Sequence, residues 1–454
     1  MAVKRPESGK NDAPRMPMLK KLFWAYFLLL FFEGALRKWI LPQLSAPLLL
    51  VRDPIALLII WEAYRTHKWP KQWTTVTSLL AIGIVTLAAV QLVVGENPWF
   101  AAVYGLRTYI LPFPVAFIMG ENLDKDDLHK FGQWLIWAIL PLTALEVAQY
   151  IAPPFSPLNI GAYEGTVQIA YAAGHVRASS TFSYVTGPML YLPLVAAFLF
   201  YASATLGFAK QWLIWAAGAA LVLAIPITGS RTVVYELAAT LLCVGIGALL
   251  GVSHFGNSIK MILGVMFVAY LVSYLPIFSE SMQTMNDRFS EASSYEGGTT
   301  ESTFLARIVG PSVNALQSNF DDRNWLGVGL GYGASAVANL LTGSQFGLAG
   351  EDELSRILTE FGLPCGLLFA MFRWGLLLIL TFKALARARE HHPLAWLLVP
   401  VMISTLGFGI MEQPTEQGFI VVVVAFILAG TNPANFPDRP PVTFHFISRS
   451  RAHA

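Results

Sequence analysis

Charge is scarce in this chain. Of 454 residues only 13% are Asp, Glu, Lys or Arg, where an ordinary soluble domain carries about a quarter. That shortage, with 55% hydrophobic residues and a mean hydropathy of +0.56, excludes a soluble globular protein and points to an integral membrane protein. Cysteine is almost absent. Cys243 and Cys365 both fall inside apolar segments, which excludes a disulfide framework and leaves two small buried hydrophobes. No Cys or His spacing suits a metal ion, so neither metal nor cofactor is expected. The net charge of +2 says little about partners, because in a membrane protein the location of charge matters more than its sum.

What is present is apolar sequence in long runs. A helix needs about 20 apolar residues to cross the hydrocarbon, and about twelve stretches qualify. They lie near 22–41, 46–63, 75–94, 100–119, 131–151, 185–204, 212–228, 233–251, 260–278, 357–380, 394–411 and 417–430. The expected architecture is therefore all-α, a polytopic membrane protein of about 12 transmembrane helices. It divides into a tail at 1–21, about nine spans over 22–278, a large outer loop with short helices over 279–356, about three spans over 357–430, and a tail at 431–454. The basic N-terminus, MAVKRPESGKNDAPRMPMLKK, is followed by no short apolar stretch with a small-residue cleavage site, so it reads as a cytoplasmic tail before an uncleaved span.

Basic residues concentrate in short cytoplasmic loops. With both termini inside, most of them do so here, and the outer segments hold Arg37, Arg52, Arg107, Arg177, Arg231, Arg288, Arg307, Arg323, Arg356 and Arg373 with a single lysine, Lys38. A guanidinium stays charged and grips phosphate oxygens with two parallel hydrogen bonds, whereas lysine is a mobile point charge. The outer half is thus expected to hold anions. The plainer alternative is that arginine snorkels and pairs with carboxylates better than lysine does.

Individual surroundings sharpen this. Glu33 and Arg37 form an i,i+4 pair on the first span, and Arg52 and Asp53 open the second, which reads as an ion-paired anchor. Arg107, in YGLRTYILPFP, has no carboxylate within a helical turn, so its partner must be tertiary or a ligand. Arg177 lies in GHVRASSTFSYVTGP among hydroxyl residues. Arg231 lies in PITGSRTVVYELAA, a tight hairpin whose following helix adds free N–H groups and a positive dipole end. Arg307, in ESTFLARIVGPSVNAL, reads as part of an amphipathic surface helix. The glycine run GVGLGYG, Gly327 to Gly333, lacks the strand and βαβ unit of a nucleotide fingerprint, and is expected instead to bring backbone close to the active cavity. His175, the sole outer histidine, is either a solvated loop residue or a proton carrier.

Four segments, VRASSTFSYVTGP, TGSRTVVYE, LARIVGPSVNALQSNFDDRNWLGVGLGYG and GEDELSRILTEFGLPCGLLF, resemble in order and spacing the O-antigen ligase and polysaccharide polymerase family of bacterial inner-membrane proteins. The resemblance covers about 175–370. It implies a glycosyltransferase at the periplasmic face of the bacterial inner membrane that polymerises or ligates a polyprenyl-pyrophosphate-linked glycan onto a glycan or lipid acceptor, within the bilayer and alongside other polysaccharide assembly proteins. It assigns Arg177, Arg231 and Arg307 to the pyrophosphate, with Arg107 and Arg356 in support. Where the family has a histidine at the start of its last helix this chain has Gly350, Glu351 and Asp352, so Glu351 or Asp352 takes the role of deprotonating the acceptor hydroxyl. Both acids also suit a plain helix cap. That departure fits a polymerase or a divergent exopolysaccharide enzyme better than a ligase. The alternative from another class is a membrane transporter or flippase for lipid-linked oligosaccharides, which would place its ionisable residues near the bilayer midplane.

Overall fold

The computed structural model describes residues 17–95, 97–162, 166–168, 174–250, 255–295, 313–320, 324–342 and 352–436. Regular structure among them is helical, apart from one isolated antiparallel bridge between Ile160 and Val167. The principal helices are α1 (Met18–Ala35), α2 (Arg52–Arg65), α3 (Lys71–Val94), α4 (Trp99–Ile110), α5 (Pro112–Asn122), α6 (Lys125–Ile151), α7 (Thr186–Ala204), α8 (Gln211–Thr228) and α9 (Arg231–Leu249). After them come α10 (Phe255–Val272), α11 (Pro276–Tyr295), α12 (Ser335–Thr342), α13 (Glu353–Phe361), α14 (Leu363–Arg389), α15 (Leu394–Leu397), α16 (Val399–Met402) and α17 (Pro414–Thr431).

Among the described residues eight helices are long and apolar enough to cross a bilayer: α3, α4 with α5, α6, α7, α8, α9, α14 and α17. Two bent pairs raise the number to ten if each is one span, 42–65 with a 41° bend and 262–290 with a 100° bend. An all-helical chain with this many apolar helices is a multi-pass membrane protein, since helices satisfy their own backbone groups in lipid. The remaining two of the twelve expected spans differ for identifiable reasons. α1 is 18 residues long but carries Lys20, Lys21 and Glu33. The stretch at 394–411 breaks into α15, α16 and a π-helical turn, Ile403–Gly407, with Pro393 and Pro400 each withholding a backbone donor at the start of a short helix. The expected outer loop over 279–356 begins within α11, and its residues 296–312, 321–323 and 343–351 lie outside the described residues.

α17 is the central helix. Beyond its first turn, which holds Glu416 and Gln417, it is apolar on every side and buried almost throughout, as a helix without a polar face must be in a bundle interior. α1 lines the same core with Phe23, Phe27 and Phe31, spaced by four so that all three rings share one face. Phe27 meets Phe131 of α6 edge-on at 4.7 Å, and Phe31 meets Tyr191 of α7 at 5.3 Å and Phe419 of α17 at 6.0 Å. Close ring packing matters here because lipid tails compete with side chains for apolar contact, so shape rather than burial selects the partner. At the tail end of α1, Lys20 reaches Asp124 and Asp127, both at 2.5 Å, where these two acids form the capping box of α6.

Candidate functional site

The α8–α9 hairpin gathers three arginines from separate parts of the chain. α8 ends on Gly229, whose left-handed φ of 55° lets the chain reverse without a Cβ clash, and Arg231 opens α9. Arg177 donates through Nε to the Thr228 carbonyl at 3.2 Å. Arg288, on α11, donates through Nη1 to the Gly229 carbonyl at 3.1 Å. The Arg231 guanidinium lies over the Phe289 ring at 5.6 Å. All three side chains are half-buried. Arg177 and Arg231, the two described residues among the three assigned to pyrophosphate, thus stand at one hairpin. Arg288 joins them, although nothing in its local sequence marked it.

The segment before α7 is tied down beside this hairpin. His175 stacks on Tyr150 at 4.1 Å, and its ring nitrogens reach the Tyr150 carbonyl at 2.9 Å and the Glu280 carboxylate at 3.0 Å. It clamps the loop to α6 and α11 rather than standing in solvent. Tyr184 remains 46% exposed. Burial raises its phenol above the ordinary range, the Arg177 charge opposes that rise and the Glu416 carboxylate adds to it, so both charges act on this one ring.

Around α13 a second centre holds carboxylates. Glu360 accepts from the Gly331 N–H at 2.8 Å, the Gly333 N–H at 2.9 Å and the Tyr109 hydroxyl at 2.9 Å. The glycine run therefore wraps a carboxylate of the protein itself, and the left-handed φ of 77° at Gly331 is what turns its N–H inward. Arg356 pairs with Glu412 at 3.1 Å and donates to the Gly333 carbonyl at 3.0 Å. Arg373 pairs with Glu353 and donates to the Gly409 carbonyl at 2.9 Å. Burial pushes Glu353 up to about 7 against the pull of Arg373, and Glu360 up to about 7 against the Gly331 N–H. Burial likewise raises Glu412, with Arg356 opposing.

Of the other residues singled out in the sequence, Arg107 finds the tertiary partner it lacked locally. It pairs with Asp53, one bond being 3.2 Å, and neither Arg107 nor Arg356 stands at the hairpin contacts of Arg177 and Arg288. The anchor forms as expected: Arg52 pairs with Glu33 at 3.0 Å and Arg37 approaches it at 3.7 Å. Asp352 caps α13, accepting from the Ser355 N–H at 3.0 Å and from its hydroxyl. Arg307 and Glu351 lie outside the described residues.

Sequence reasoning passed over Glu146, Glu236, Glu360, Glu412 and Glu416. The signal available was the cost of a carboxylate in or beside an apolar helix, which alone marks such a residue for attention. Cys243 and Cys365 are both free; Cys243 is buried as expected, whereas Cys365 is only half-buried. No protein-family model matches the chain, and a search of curated proteins finds none similar to it.

Proposed function

We propose that the chain is a membrane glycosyltransferase that polymerises or ligates polyprenyl-pyrophosphate-linked glycans at the periplasmic face of a bacterial inner membrane, as the O-antigen ligase and polymerase family does. The observation that carries this reading is the meeting of Arg177, Arg231 and Arg288 around the α8–α9 hairpin. Breaking the bond between sugar and pyrophosphate leaves negative charge on phosphate oxygens. Fixed guanidinium groups in a site poor in water stabilise charge where it develops, and the positive end of α9 adds to them. Arg307 completes the set on the resemblance alone. Arg107 and Arg356, each held by a carboxylate, serve by fixing α4 and α13 rather than by binding the donor.

The test is reconstitution. Purified protein in lipid vesicles receives a lipid-linked glycan, and products are separated by length. Longer chains mark a polymerase, and transfer to a second lipid or glycan marks a ligase. An unchanged donor on the same side of the membrane removes the proposal, and an unchanged donor moved to the other leaflet supports a flippase. One observation favours that second reading, the carboxylate of Glu146, fully buried in α6 with neither oxygen hydrogen-bonded.

A further inference from the structure

The three arginines of the hairpin come from separate pieces of chain. Arg288 belongs to α11, which turns 100° away from the helix before it, so whatever seats α11 against the hairpin also sets where Arg288 stands relative to Arg177 and Arg231.

One side of α11 provides the seat. Glu280, Thr284 and Arg288 follow one another at four-residue spacing and so line one face of the helix. Glu280 meets His175 at 3.0 Å, Thr284 meets the Tyr150 hydroxyl at 3.1 Å, and Arg288 donates to the Gly229 carbonyl at 3.1 Å. The Thr284 hydroxyl already donates to the Glu280 carbonyl at 2.9 Å, so Tyr150 is the donor to it. Ser281, Thr284 and Met285 are buried along this side, whereas Gln283, Asn286 and Asp287 are exposed. At the start of the helix Ile277 packs with Tyr150, Ala178 and Ile227.

Among these contacts the one made by His175 depends on its charge. Its Nδ1 faces the Tyr150 carbonyl at 2.9 Å and its Nε2 the Glu280 carboxylate at 3.0 Å, and stacking on the Tyr150 ring at 4.1 Å fixes its plane. A carbonyl and a carboxylate only accept, so both ring nitrogens have to donate. Imidazolium carries two N–H groups, whereas neutral imidazole has one and turns a lone pair towards the other oxygen. The charged ring thus ties α6, the Arg177 segment and α11 together, and the neutral ring drops one tie. The ionisable groups in contact with it are Glu280 of α11 and Tyr150 of α6, with Arg177 two residues along its own segment. Carboxylate, phenol and guanidinium side chains ordinarily keep their charge state while a histidine changes its own, so the switch in this cluster is the imidazole.

Resting on the diphosphate chemistry proposed for the hairpin, we propose that His175 is a positioning residue that acts in its charged form, seating α11 so that Arg288 completes the diphosphate site with Arg177 and Arg231. The sign follows from the two acceptors. Seating is firmest where histidine is protonated and loosens as pH rises between about 5 and 8. The Glu280 side chain is 57% exposed, and a tie open to solvent is worth roughly a two- to fivefold change in an equilibrium.

Two measurements on the full-length protein in lipid nanodiscs separate the seating of α11 from the ligand. The first is amide hydrogen exchange along α11 without ligand, corrected for the intrinsic effect of pH on exchange, between about pH 5 and 8. Wild-type α11 should exchange roughly two- to fivefold faster at the upper end. Glu280→Gln should remove that slope, because its amide accepts from the charged ring through oxygen and donates to the neutral ring through nitrogen. A slope shared by wild type and Glu280→Gln, or none in wild type, overturns the role of His175. The second measurement titrates farnesyl pyrophosphate, a soluble prenyl diphosphate, into both proteins and takes the ratio of their affinities at each pH, in which the titration of the probe itself cancels. Wild type should lose roughly two- to fivefold against Glu280→Gln across the range, and a constant ratio overturns the coupling of His175 to the arginines. Failure of wild type to bind the probe at any pH overturns the diphosphate chemistry of the hairpin, and hydrogen exchange still decides whether His175 seats α11.

Discussion

The Glu360 carboxylate accepts the Gly331 N–H at 2.8 Å, so a charged side chain at the end of α13 organises a glycine turn 29 residues earlier in the chain. Gly333 and Tyr109 supply two more donors at 2.9 Å. Because the turn closes on the end of α13, where the Val328 N–H also donates to the Thr359 carbonyl, this one carboxylate joins α4, the glycine run and α13.

Glu360→Gln tests that join. The amide keeps the size of the side chain but exchanges one acceptor oxygen for a donor, which then faces an N–H or a hydroxyl with no acceptor. An unmatched buried donor costs about 1–3 kcal/mol. The expected outcome above pH 7, where Glu360 is ionised, is a lower thermal midpoint in detergent with unaltered membrane insertion, and a midpoint equal to wild type there would show the carboxylate to be dispensable.

The same centre makes stability depend on pH. Glu353 and Glu360 are raised from 4.5 to about 7, chiefly by burial. Between those values the native chain binds more protons than the unfolded chain, so stability is greatest below the unfolded value and falls as pH rises towards 7. Each group contributes a slope of up to ~1.4 kcal/mol per pH unit. Unfolding measured between pH 4.5 and 7 should therefore show Glu360→Gln changing less steeply than wild type. Parallel curves for the two proteins would contradict the assignment.

Arg373→Met addresses the ion pair with Glu353. Removing one partner of a buried pair leaves the other charge uncompensated and costs about 3–5 kcal/mol. Replacing both, as Arg373→Met with Glu353→Gln, should restore much of the loss, because the apolar and neutral pair carries no stranded charge. Midpoints of the two single variants and the double variant form the measurement, and additive losses would exclude the coupling.

How much of this was legible beforehand depends on how far apart in sequence the partners lie. Helices such as α3, α8 and α17 follow from runs of apolar residues, because one span's worth of hydropathy is a local property. The Glu33–Arg37 approach was legible for the same reason, being one helical turn long. Arg107 could be known to need a tertiary partner, but Asp53 lies 54 residues away and nothing local names it. The glutamates were harder to read. A single Glu236 or Glu416 is averaged away within an apolar window, and its significance rests on neighbours supplied by other helices. The bend at 273–275 and the breaks within 394–407 escape a reading of hydropathy, which counts a broken helix and a straight one alike.

The arginine hairpin yields the sharpest functional expectation. Arg177 and Arg288 both donate to carbonyls of the turn that precedes Arg231, so the three guanidinium groups share one scaffold and one local field. If that field receives a diphosphate, removing a single arginine costs the transition state a charge-assisted contact that alanine cannot replace, and lysine restores charge without the two-pronged geometry. Loss of one such stabilising group lowers turnover by ~100- to 1,000-fold in comparable sites. Arg177→Ala, Arg231→Ala and Arg288→Ala should each abolish glycan assembly while protein in the membrane fraction stays at the wild-type level, and Arg231→Lys should fall between. Glycan assembly at the wild-type rate in Arg177→Ala or Arg231→Ala would mean that the hairpin holds its arginines for the fold alone.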